Sequence, residues 1–493
     1  MIATAILAGE GTSDMAEEIW RWDATDMADA VRRRAVSARE LVDACLTRVD
    51  AVNPPLNAVT AECADEARNA ADCADAALAR GDALGPLHGV PVTIKENVDQ
   101  RGSATTNGTV AYRDLIAADD SPVVANWRAA GAIVIGRTNT PSFSFRLETD
   151  NELRGPTYNP WSRPHTPGGS SGGAAVSVAT GMAALAHGND IAGSIRYPAY
   201  ACGVAGLRPS FGRVPAFNGT AAAERSMSAQ LLSVQGPLAR TVRDLRLALA
   251  AMAGPDARDP WWVPAPLEGP SLPTPLRIAV VTDPDALGGE RLDPSVMQAM
   301  TQAAAWLAEA GYEIVGTPTP GFTRPAALWF AMQVPEIREF LWPAMTAHGD
   351  AGIRRAMGLM LEAHPADAGV PYMRALAERA RLVRDWQRFF AKVPLVLAPV
   401  CTQPVYRRGF DVVSVERTRA MWRECLTLTA VPLLGVPALA VPTGVVDGVP
   451  VGVSILAARF RDDLCLAAGE AIEARSGMAA RLPLDPLGVT DRS

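Results

Sequence analysis

Apolar residues recur along the chain with two different periods, one typical of helices and one of buried strands. Between residues 26 and 52 they recur at helical spacing, and Ser37 and Glu40 are placed as a capping box between two helical stretches. Beyond this pair, short Val- and Ile-rich runs alternate with helix-like segments at 294–310 and 372–391. The runs are residues 90–94, 132–135, 278–281, 395–397, 438–441 and 451–455. The alternation predicts an α/β protein with a largely buried sheet.

One proline-rich stretch is the strongest candidate for a connection between parts of the chain. Residues 260–275 hold six prolines and lead into a predicted strand. We therefore expect a single domain, 1–493, with a subdomain connection at 257–275. The parts of that domain would be an N-terminal helical region at 16–80, a core at 85–256, and a C-terminal part at 276–475 with a helical, Trp- and Met-rich lid segment at 328–390.

Composition and net charge argue against two classes of binding partner. Of the 493 residues, 48% are hydrophobic and 20% are charged, which predicts a folded soluble protein. The net charge of −7 gives no basis for electrostatic capture of nucleic acid or of an anionic membrane. The most apolar stretch, 430–446, is broken by three prolines, so we expect no membrane span. We thus expect neither nucleic acid nor membrane as a partner.

Cysteine and histidine usage predicts the compartment and excludes a metal. The seven cysteines are scattered without a CxxC pair, and the five histidines do not fall at metal-ligand spacing. The opening fifteen residues lack the basic start of a secretory signal. We therefore expect reduced thiols, a cytoplasmic protein, no metal and no cofactor.

The stretch 166–215 carries the candidate chemistry. Two serine-bearing, glycine-rich turns at 168–173 and 190–196 flank a predicted helix of small apolar residues at 174–186. Because glycine lacks a Cβ, backbone N–H groups in such turns can approach a substrate oxygen closely. A hydroxyl beside them can attack the carbonyl that they polarise. A flexible linker would not run directly into a compact apolar helix, so we interpret the turns as catalytic.

The first turn also has the Gly-x-Ser-x-Gly spacing of a nucleophile elbow, which would make Ser170 the nucleophile of an esterase. That motif requires a preceding strand, but residues 159–167 contain three prolines. The later histidines also lie in no triad context. This esterase interpretation stays as a lesser alternative.

A nucleophilic serine needs a base, and the best candidate at neutral pH is a lysine whose burial lowers its pKa. Lys95 ends a predicted buried strand that begins at residue 90. Ligand crevices in α/β sheets open at the carboxyl ends of strands. Taken alone, a lysine at a strand end is more often a surface residue.

Together, these features resemble the amidase signature family. The matching features are the GGSSGG turn, the 24-residue step from Ser170 to Ser194, the GSIR motif at 193–196, and Lys95, which precedes Ser170 by 75 residues. Segments 85–99 and 433–456 and the N-terminal helical pair are similar to the family as well. The resemblance informs residues 328–423 least.

The resemblance implies a fold, a reaction and a set of roles. The fold would be a large mixed central sheet covered by helices on both faces, and the reaction would be hydrolysis of a small carboxylic amide through an acyl-enzyme. Ser194 would be the nucleophile, Ser170 the proton relay after a cis Gly169–Ser170 bond, and Lys95 the base. The oxyanion hole would be formed by the N–H groups of Ile191, Ala192, Gly193 and Ser194.

The chain departs from the family pattern at five positions, and at three of them Glu96, Arg208 and Ser210 stand where Asp, Lys and Thr are usual. Asn189 stands where a small hydroxyl residue is usual, and Ala192 stands where glycine is usual. A Cβ at position 192 would cost energy if the backbone there needed a positive φ. Asp190 and Arg196 bracket the loop, and we expect them to pair and hold it.

Substrate identity is the least specified feature. Within 328–390, Trp, Phe and Met residues recur at helical spacing, and we expect most of them in the core and a few in an acyl pocket for aryl or medium alkyl amides. They are Trp329, Phe330, Phe340, Leu341, Trp342, Met345, Met357, Met360, Trp386, Phe389 and Phe390. The alternatives are a glutaminase-type subunit of a tRNA-dependent amidotransferase and a non-catalytic homologue. Whether the protein forms a homodimer stays open.

Overall fold

The computed structural model of the chain describes residues 18–365, 371–481 and 483. The opening segment, to which the signal-peptide argument applies, lies outside the described residues. Residues 16–17 of the predicted N-terminal region and 366–370 of the predicted lid segment lie outside them too.

Eleven strands of the described chain form one mixed sheet. They are β1 (Val59–Glu62), β2 (Pro91–Lys95), β3 (Ile133–Thr138), β4 (Leu185–Asp190), β5 (Ala205–Arg208), β6 (Val234–Ala239), β7 (Arg277–Val280), β8 (Glu313–Val315), β9 (Leu395–Pro399), β10 (Ala438–Val446) and β11 (Val449–Ala457). Their order is β1-β3-β2-β4-β6-β5-β10-β11-β9-β7-β8. β2 is parallel to both β3 and β4, whereas β4 is antiparallel to β6.

Helices pack against this sheet and confirm the α/β class. They are α1 (Ala24–Arg32), α2 (Ala38–Leu56), α3 (Ala64–Arg80), α4 (Pro122–Ala129), α5 (Gly172–Ala179), α6 (Arg196–Cys202), α7 (Met227–Leu232), α8 (Val242–Met252), α9 (Pro294–Glu309), α10 (Thr323–Glu336), α11 (Trp342–His348), α12 (Ala351–Ala363), α13 (Tyr372–Phe390), α14 (Val415–Glu424), α15 (Leu426–Leu434) and α16 (Asp462–Ser476). Among the described residues, no helix combines the length and apolarity needed to cross a membrane.

The predicted N-terminal helical pair is confirmed, including its capping box. The Glu40 backbone N–H donates to Ser37 Oγ at 3.0 Å, and the Ser37 N–H donates to the Glu40 carboxylate at 2.7 Å. The reciprocal bonds satisfy two N–H groups at the start of α2 that have no partner within the helix.

The predicted helix at 174–186 is wrong in its second half. Helix α5 ends at Ala179, and residues 185–190 form β4 instead. Gly181 has a positive φ of 77° and lies directly against the Trp20 ring, so the chain turns out of the helix there. A fully buried run of small apolar residues suits a helix and a central strand equally well, and periodicity does not separate them.

Segment 328–390 is helical where it is described, as predicted. It runs from α10 through a π-helical turn, Ile337–Leu341, to α11, α12 and α13. Part of it forms a buried aromatic cluster in which Trp386 packs against Phe322 and Phe390. The domain divisions stay predictions; between Met252 and Arg277 the described chain has no helix or strand.

Candidate active site

The site is formed where β2 and β4 end. The two strands are parallel neighbours, with Val92 opposite Leu185, so their carboxyl ends meet at one edge of the sheet. Lys95 is the last residue of β2 and Asp190 the last of β4. The glycine-rich turn before α5 and the loop between β4 and α6 lie at the same edge, which brings residues from distant parts of the sequence together.

Lys95 is completely buried, and its ammonium nitrogen has three polar neighbours. Lys95 Nζ lies 2.7 Å from Ser170 Oγ, 3.1 Å from Ser171 Oγ and 2.8 Å from Asn189 Oδ1. Burial lowers the pKa of Lys95 well below its ordinary value, and the charge of Asp190 opposes this only partly. The lysine is therefore suited to act as a neutral base.

The three neighbours direct the lone pair of the neutral amine. A neutral amine has two N–H donors and one lone pair, and Asn189 Oδ1 can only accept a hydrogen bond. Ser171 Oγ donates to the backbone carbonyl oxygen of Asn189, which lies 3.5 Å away. Its own oxygen therefore accepts a hydrogen bond from Lys95 Nζ. Both N–H groups are then used, and the lone pair faces the Ser170 hydroxyl. The arrangement can take a proton from Ser170.

Ser170 is held in a constrained turn. The Gly169–Ser170 peptide bond is cis. Thr149 Oγ1 donates to the Gly168 carbonyl at 2.8 Å and accepts from the Gly172 N–H at 3.2 Å. A Cβ on Gly169 would lie 2.5 Å from the Arg146 carbonyl oxygen, so no larger residue fits there.

The loop 191–194 offers backbone donors. Gly193 has a positive φ of 96°, whereas Ala192 does not, so the Cβ of Ala192 costs no backbone strain. The Gly193 N–H donates to Asp190 Oδ1 at 2.9 Å and is therefore engaged. The N–H groups of Ile191, Ala192 and Ser194 have no acceptor among the described residues. Three of the four expected oxyanion donors are thus available to a ligand.

Asp190 anchors this loop through two buried arginines. Arg196 donates to its carboxylate from Nε and Nη2, each at 3.0 Å, which gives the pairing expected from the sequence. Arg208 adds a second cation and donates to the Asp190 carbonyl. Burial alone would raise the pKa of Asp190, but the two arginines outweigh it and lower that pKa to about 2.

Replacing Asp190 by asparagine is expected to destabilise the protein by about 3–5 kcal/mol, because it leaves Arg196 buried without its partner. Urea unfolding measures this. The Asp190 pKa is about 2 when folded and ordinarily 3.8, so its contribution is present above about pH 4 and is lost as the pH falls toward 2. The difference between the wild type and the variant should shrink over that range.

The matched control is Asp29→Asn. Asp29 pairs with Arg32 at 2.9 Å, but their side chains are 55% and 45% exposed. Exposed pairs contribute about 0–1 kcal/mol. If Asp190→Asn were no more destabilising than this control, the anchoring role would be wrong.

Ser194 lies in the wall of a cavity, here called the aromatic cavity. The cavity has about 570 Å³ of empty space, including its mouth. Its walls are mainly apolar, and Trp329 Nε1 donates to the Ile191 carbonyl at 2.9 Å, which fixes that wall to the loop. The lining residues are Ser144, Phe145, Arg146, Leu147, Ile191, Ala192, Ser194, Trp329, Ala356, Met357, Met360, Asp411, Thr418, Met421 and Trp422.

A second, larger cavity meets the first at Ser144, Phe145, Ile191 and Ser194. This wide cleft has about 2190 Å³ of empty space, including open solvent, and Ser170 and Asn189 also line it. Its outer part is mixed in character, with Phe217, Arg258 and exposed Phe340. Ser194 therefore lies between an apolar pocket and a broad opening.

The residues singled out within 328–390 were expected mostly in the core with a few in the pocket. Phe330, Trp342 and Met345 belong to or pack against a separate buried cluster, and the others lie in three places. Trp329, Met357 and Met360 line the aromatic cavity, and Phe340 and Leu341 line the wide cleft. Trp386, Phe389 and Phe390 belong to the buried core.

Sequence reasoning missed nine of the residues that line the aromatic cavity, among them Arg146, Asp411, Met421 and Trp422. Arg146 and Asp411 are 265 positions apart and gave no local signal. Trp422 lies on α14, beyond the segment in which the pocket was expected.

The esterase alternative lacks its structural context. The described residues 159–167 contain no strand before Ser170. Burial lowers the pKa of His187 to about 3, and its ring hydrogen-bonds with Gln235 at 2.8 Å. Among the described residues, no group of three or more His, Cys, Asp or Glu side chains could hold a metal ion.

Comparison with known proteins shows similarity along nearly the whole chain. The Amidase family model matches residues 40–466. An indoleacetamide hydrolase from Bradyrhizobium diazoefficiens is 46% identical over 464 residues, covering 94% of this chain and 88% of the relative. An acylamidase from Rhodococcus erythropolis is 35% identical over 491 residues, covering 96% of this chain and 100% of the relative. The crystal structure of a bacterial aryl acylamidase of the amidase signature family superposes with a TM-score of 0.78 at 26% identity, covering 94% of this chain and 98% of that one.

Proposed function

The chain belongs to the amidase family and hydrolyses carboxylic amides, and we propose that its substrate is an arylacetamide whose ring occupies the aromatic cavity. The observation that carries this proposal is that Ser194 lines the same cavity as Trp329, Trp422 and three methionines. A ring between Trp329, Trp422 and Met360 would place an acetamide carbonyl beside the free N–H groups of the loop 191–194.

The proposed reaction begins with transfer of two protons. Neutral Lys95 takes the proton of Ser170, Ser170 takes that of Ser194, and Ser194 Oγ bonds to the carbonyl carbon. The carbonyl π electrons move onto oxygen, and the N–H groups of Ile191, Ala192 and Ser194 stabilise the resulting negative charge.

Collapse of this tetrahedral intermediate releases the amine. The C–N bond breaks, and the proton held by Lys95 returns through Ser170 to the leaving nitrogen, so ammonia departs from a primary amide. Ser194 is left as an ester of the acyl group. Water then adds to that ester with Lys95 and Ser170 again accepting the proton, and the carboxylic acid leaves as Ser194 regains its hydrogen.

The lining of the aromatic cavity supports an aryl acyl group over a polar one. Small-molecule pockets are mostly apolar with a few polar anchors, and thioethers make favourable contacts with ring edges. Three methionines and two tryptophans line this cavity. The similar indoleacetamide hydrolase carries an aryl acetamide in its name.

We also propose that the chain acts on small amides without a nucleic-acid or cofactor requirement, as an amidase and not as part of an amidotransferase. Glutamine in the aromatic cavity would leave the tryptophan and methionine walls unfilled, and the charged side chains of the lining, Arg146 and Asp411, are already paired with each other. A non-catalytic role would leave the buried Lys95, with its three ordered neighbours, without a purpose.

Arylacetamides are expected to have higher specificity constants than glutamine. We expect kcat/KM for indole-3-acetamide and phenylacetamide to exceed that for glutamine, asparagine or malonamide by about tenfold or more, from burial of the ring. Ammonia release measures all five under one condition. A preference for glutamine would contradict the proposal and favour the amidotransferase alternative.

Two tryptophan variants distinguish the effect of losing a cavity wall from the effect of losing a core residue. Trp422→Ala removes a wall of the aromatic cavity and should raise KM for arylacetamides selectively. Trp386→Ala is the control, because Trp386 is buried in the core cluster and does not line the cavity. It should lower the unfolding temperature without changing the preference between aryl and polar amides.

A further inference from the structure

A charged pair lies in the mainly apolar wall of the aromatic cavity. Arg146 and Asp411 both line it, and their side chains are only 5% and 4% exposed. Apart from the hydroxyl residues Ser144, Ser194 and Thr418, the other lining residues are apolar, including Leu147, Met357 and Met421. Burying an ion pair costs desolvation free energy that apolar residues of the same volume would avoid. This cost indicates that the pair has a role other than packing.

The pair leaves unused hydrogen-bonding capacity on the carboxylate. Arg146 donates from Nε to Asp411 Oδ2 and from Nη2 to Oδ1, both at 2.9 Å. Each carboxylate oxygen can accept a second hydrogen bond. No other donor to Asp411 is present among the described residues. A ligand in the cavity that carries an N–H group can therefore complete the carboxylate's bonding.

Neighbouring contacts fix Asp411 in position. Glu148 accepts from Arg408 Nε and from the Gly409 N–H, each at 3.3 Å, which ties the segment before Asp411 to the segment after Arg146. On the other side, a Cβ on Gly352 would lie 2.5 Å from Arg146 Nη1, so the start of α12 confines the guanidinium. A carboxylate held this firmly can select ligands by geometry.

We propose that Asp411 determines specificity by accepting a hydrogen bond from a ring N–H of the substrate's aryl group. Arg146 compensates its charge and holds the acceptor in the cavity wall. The inference rests on the proposed arylacetamide hydrolase function and adds that the preferred ring is a nitrogen heteroaryl with an N–H donor. A hydrocarbon ring of equal size would leave the carboxylate without that bond.

The first test compares substrates of nearly equal size in the wild-type protein. They are indole-3-acetamide, N-methylindole-3-acetamide and naphthaleneacetamide. A hydrogen bond to a charged group should make kcat/KM for indole-3-acetamide about tenfold or more higher than for either analogue. Equal constants for indole-3-acetamide and naphthaleneacetamide would overturn the inference, while the proposed function would stand.

The second test removes the acceptor. The double variant Arg146→Leu and Asp411→Leu replaces the pair by apolar side chains. In it, the ratio of kcat/KM for indole-3-acetamide to that for either analogue should fall to about one. Asp411→Asn, which retains one acceptor oxygen, should give an intermediate ratio. An unchanged ratio in either variant would overturn the inference, and if the double variant does not fold, the asparagine variant and the wild-type comparison decide.

A matched control is Asp462→Asn. Asp462 pairs with Arg213 at 2.7 Å and is just as buried, but neither residue lines the aromatic cavity. The substrate ratio should stay at its wild-type value. A ratio that changed equally in this control would show a general effect of losing a buried pair and overturn the inference. If none of the three amides is hydrolysed, the proposed function fails and the inference falls with it.

Discussion

Replacing Ser194 by alanine is expected to lower kcat by roughly 10⁴-fold or more while leaving the fold intact. The reason is that Ser194 lines both cavities and carries the one hydroxyl of the loop 191–194, whose free N–H groups lie beside it, and we propose that Ser170 relays its proton to Lys95. Loss of the nucleophile removes the covalent pathway and leaves only substrate binding. Ammonia release from an arylacetamide, with circular dichroism to check folding, measures it.

A matched control is Ser177→Ala. Ser177 is equally buried, and its hydroxyl contacts Thr93 and the Ala174 carbonyl without reaching Lys95. It should retain most of the activity. A fluorophosphonate probe should label the wild type and the control but not Ser194→Ala. Undiminished turnover by Ser194→Ala would overturn the assignment, and loss only in Ser170→Ala would favour the esterase alternative.

Replacing Lys95 by alanine is expected to lower kcat/KM by roughly 10³-fold or more and to remove the main ionisation from its pH profile. Only neutral Lys95 can accept a proton, and burial lowers its pKa from the ordinary 10.5. Activity of the wild type should therefore rise with pH through a single ionisation below that value and stay high on the alkaline side. Residual activity of the variant should lack that rise.

Lys392 supplies the control, because it is the only other lysine in the sequence and is exposed. Lys392→Ala should keep the wild-type profile. An optimum below pH 5, or an unchanged profile in Lys95→Ala, would exclude a lysine base. The pH dependence also distinguishes the roles of Lys95 and Asp190, since Asp190 titrates only near pH 2.

The sequence by itself carried the candidate catalytic groups. Strand ends and tight turns are encoded by neighbouring residues, so Lys95 at the end of an apolar run and two serines in glycine-rich turns could be picked out as candidates. Their catalytic roles came only from the resemblance to the amidase signature family. The α/β class followed from the same short-range patterns. The structure confirms that class and brings Lys95 and Ser170 within 2.7 Å.

Short-range patterns failed where burial was complete. The run 174–186 is apolar throughout, so its periodicity gave no reason to end α5 at Ala179 or to begin β4 at Leu185. Pairing of β4 with β2 and β6 decided the conformation, and such pairing depends on residues far away in the sequence.

The hydrogen bonds and ion pairs around the site depend on the tertiary structure alone. Asn189 Oδ1 accepts a hydrogen bond from Lys95, and the Asp190 carboxylate accepts one from the Gly193 N–H. Asp411 pairs with Arg146, which is 265 positions away in the sequence. Each of these contacts depends on how separate segments pack together in the folded protein. Short-range patterns in one sequence do not predict that packing. The candidate nucleophile and its glycine-rich loop are neighbours in the sequence. The shape and polarity of the pocket come from packing among α10, α12, α14 and the segment around Arg146, because only folding brings these surfaces together.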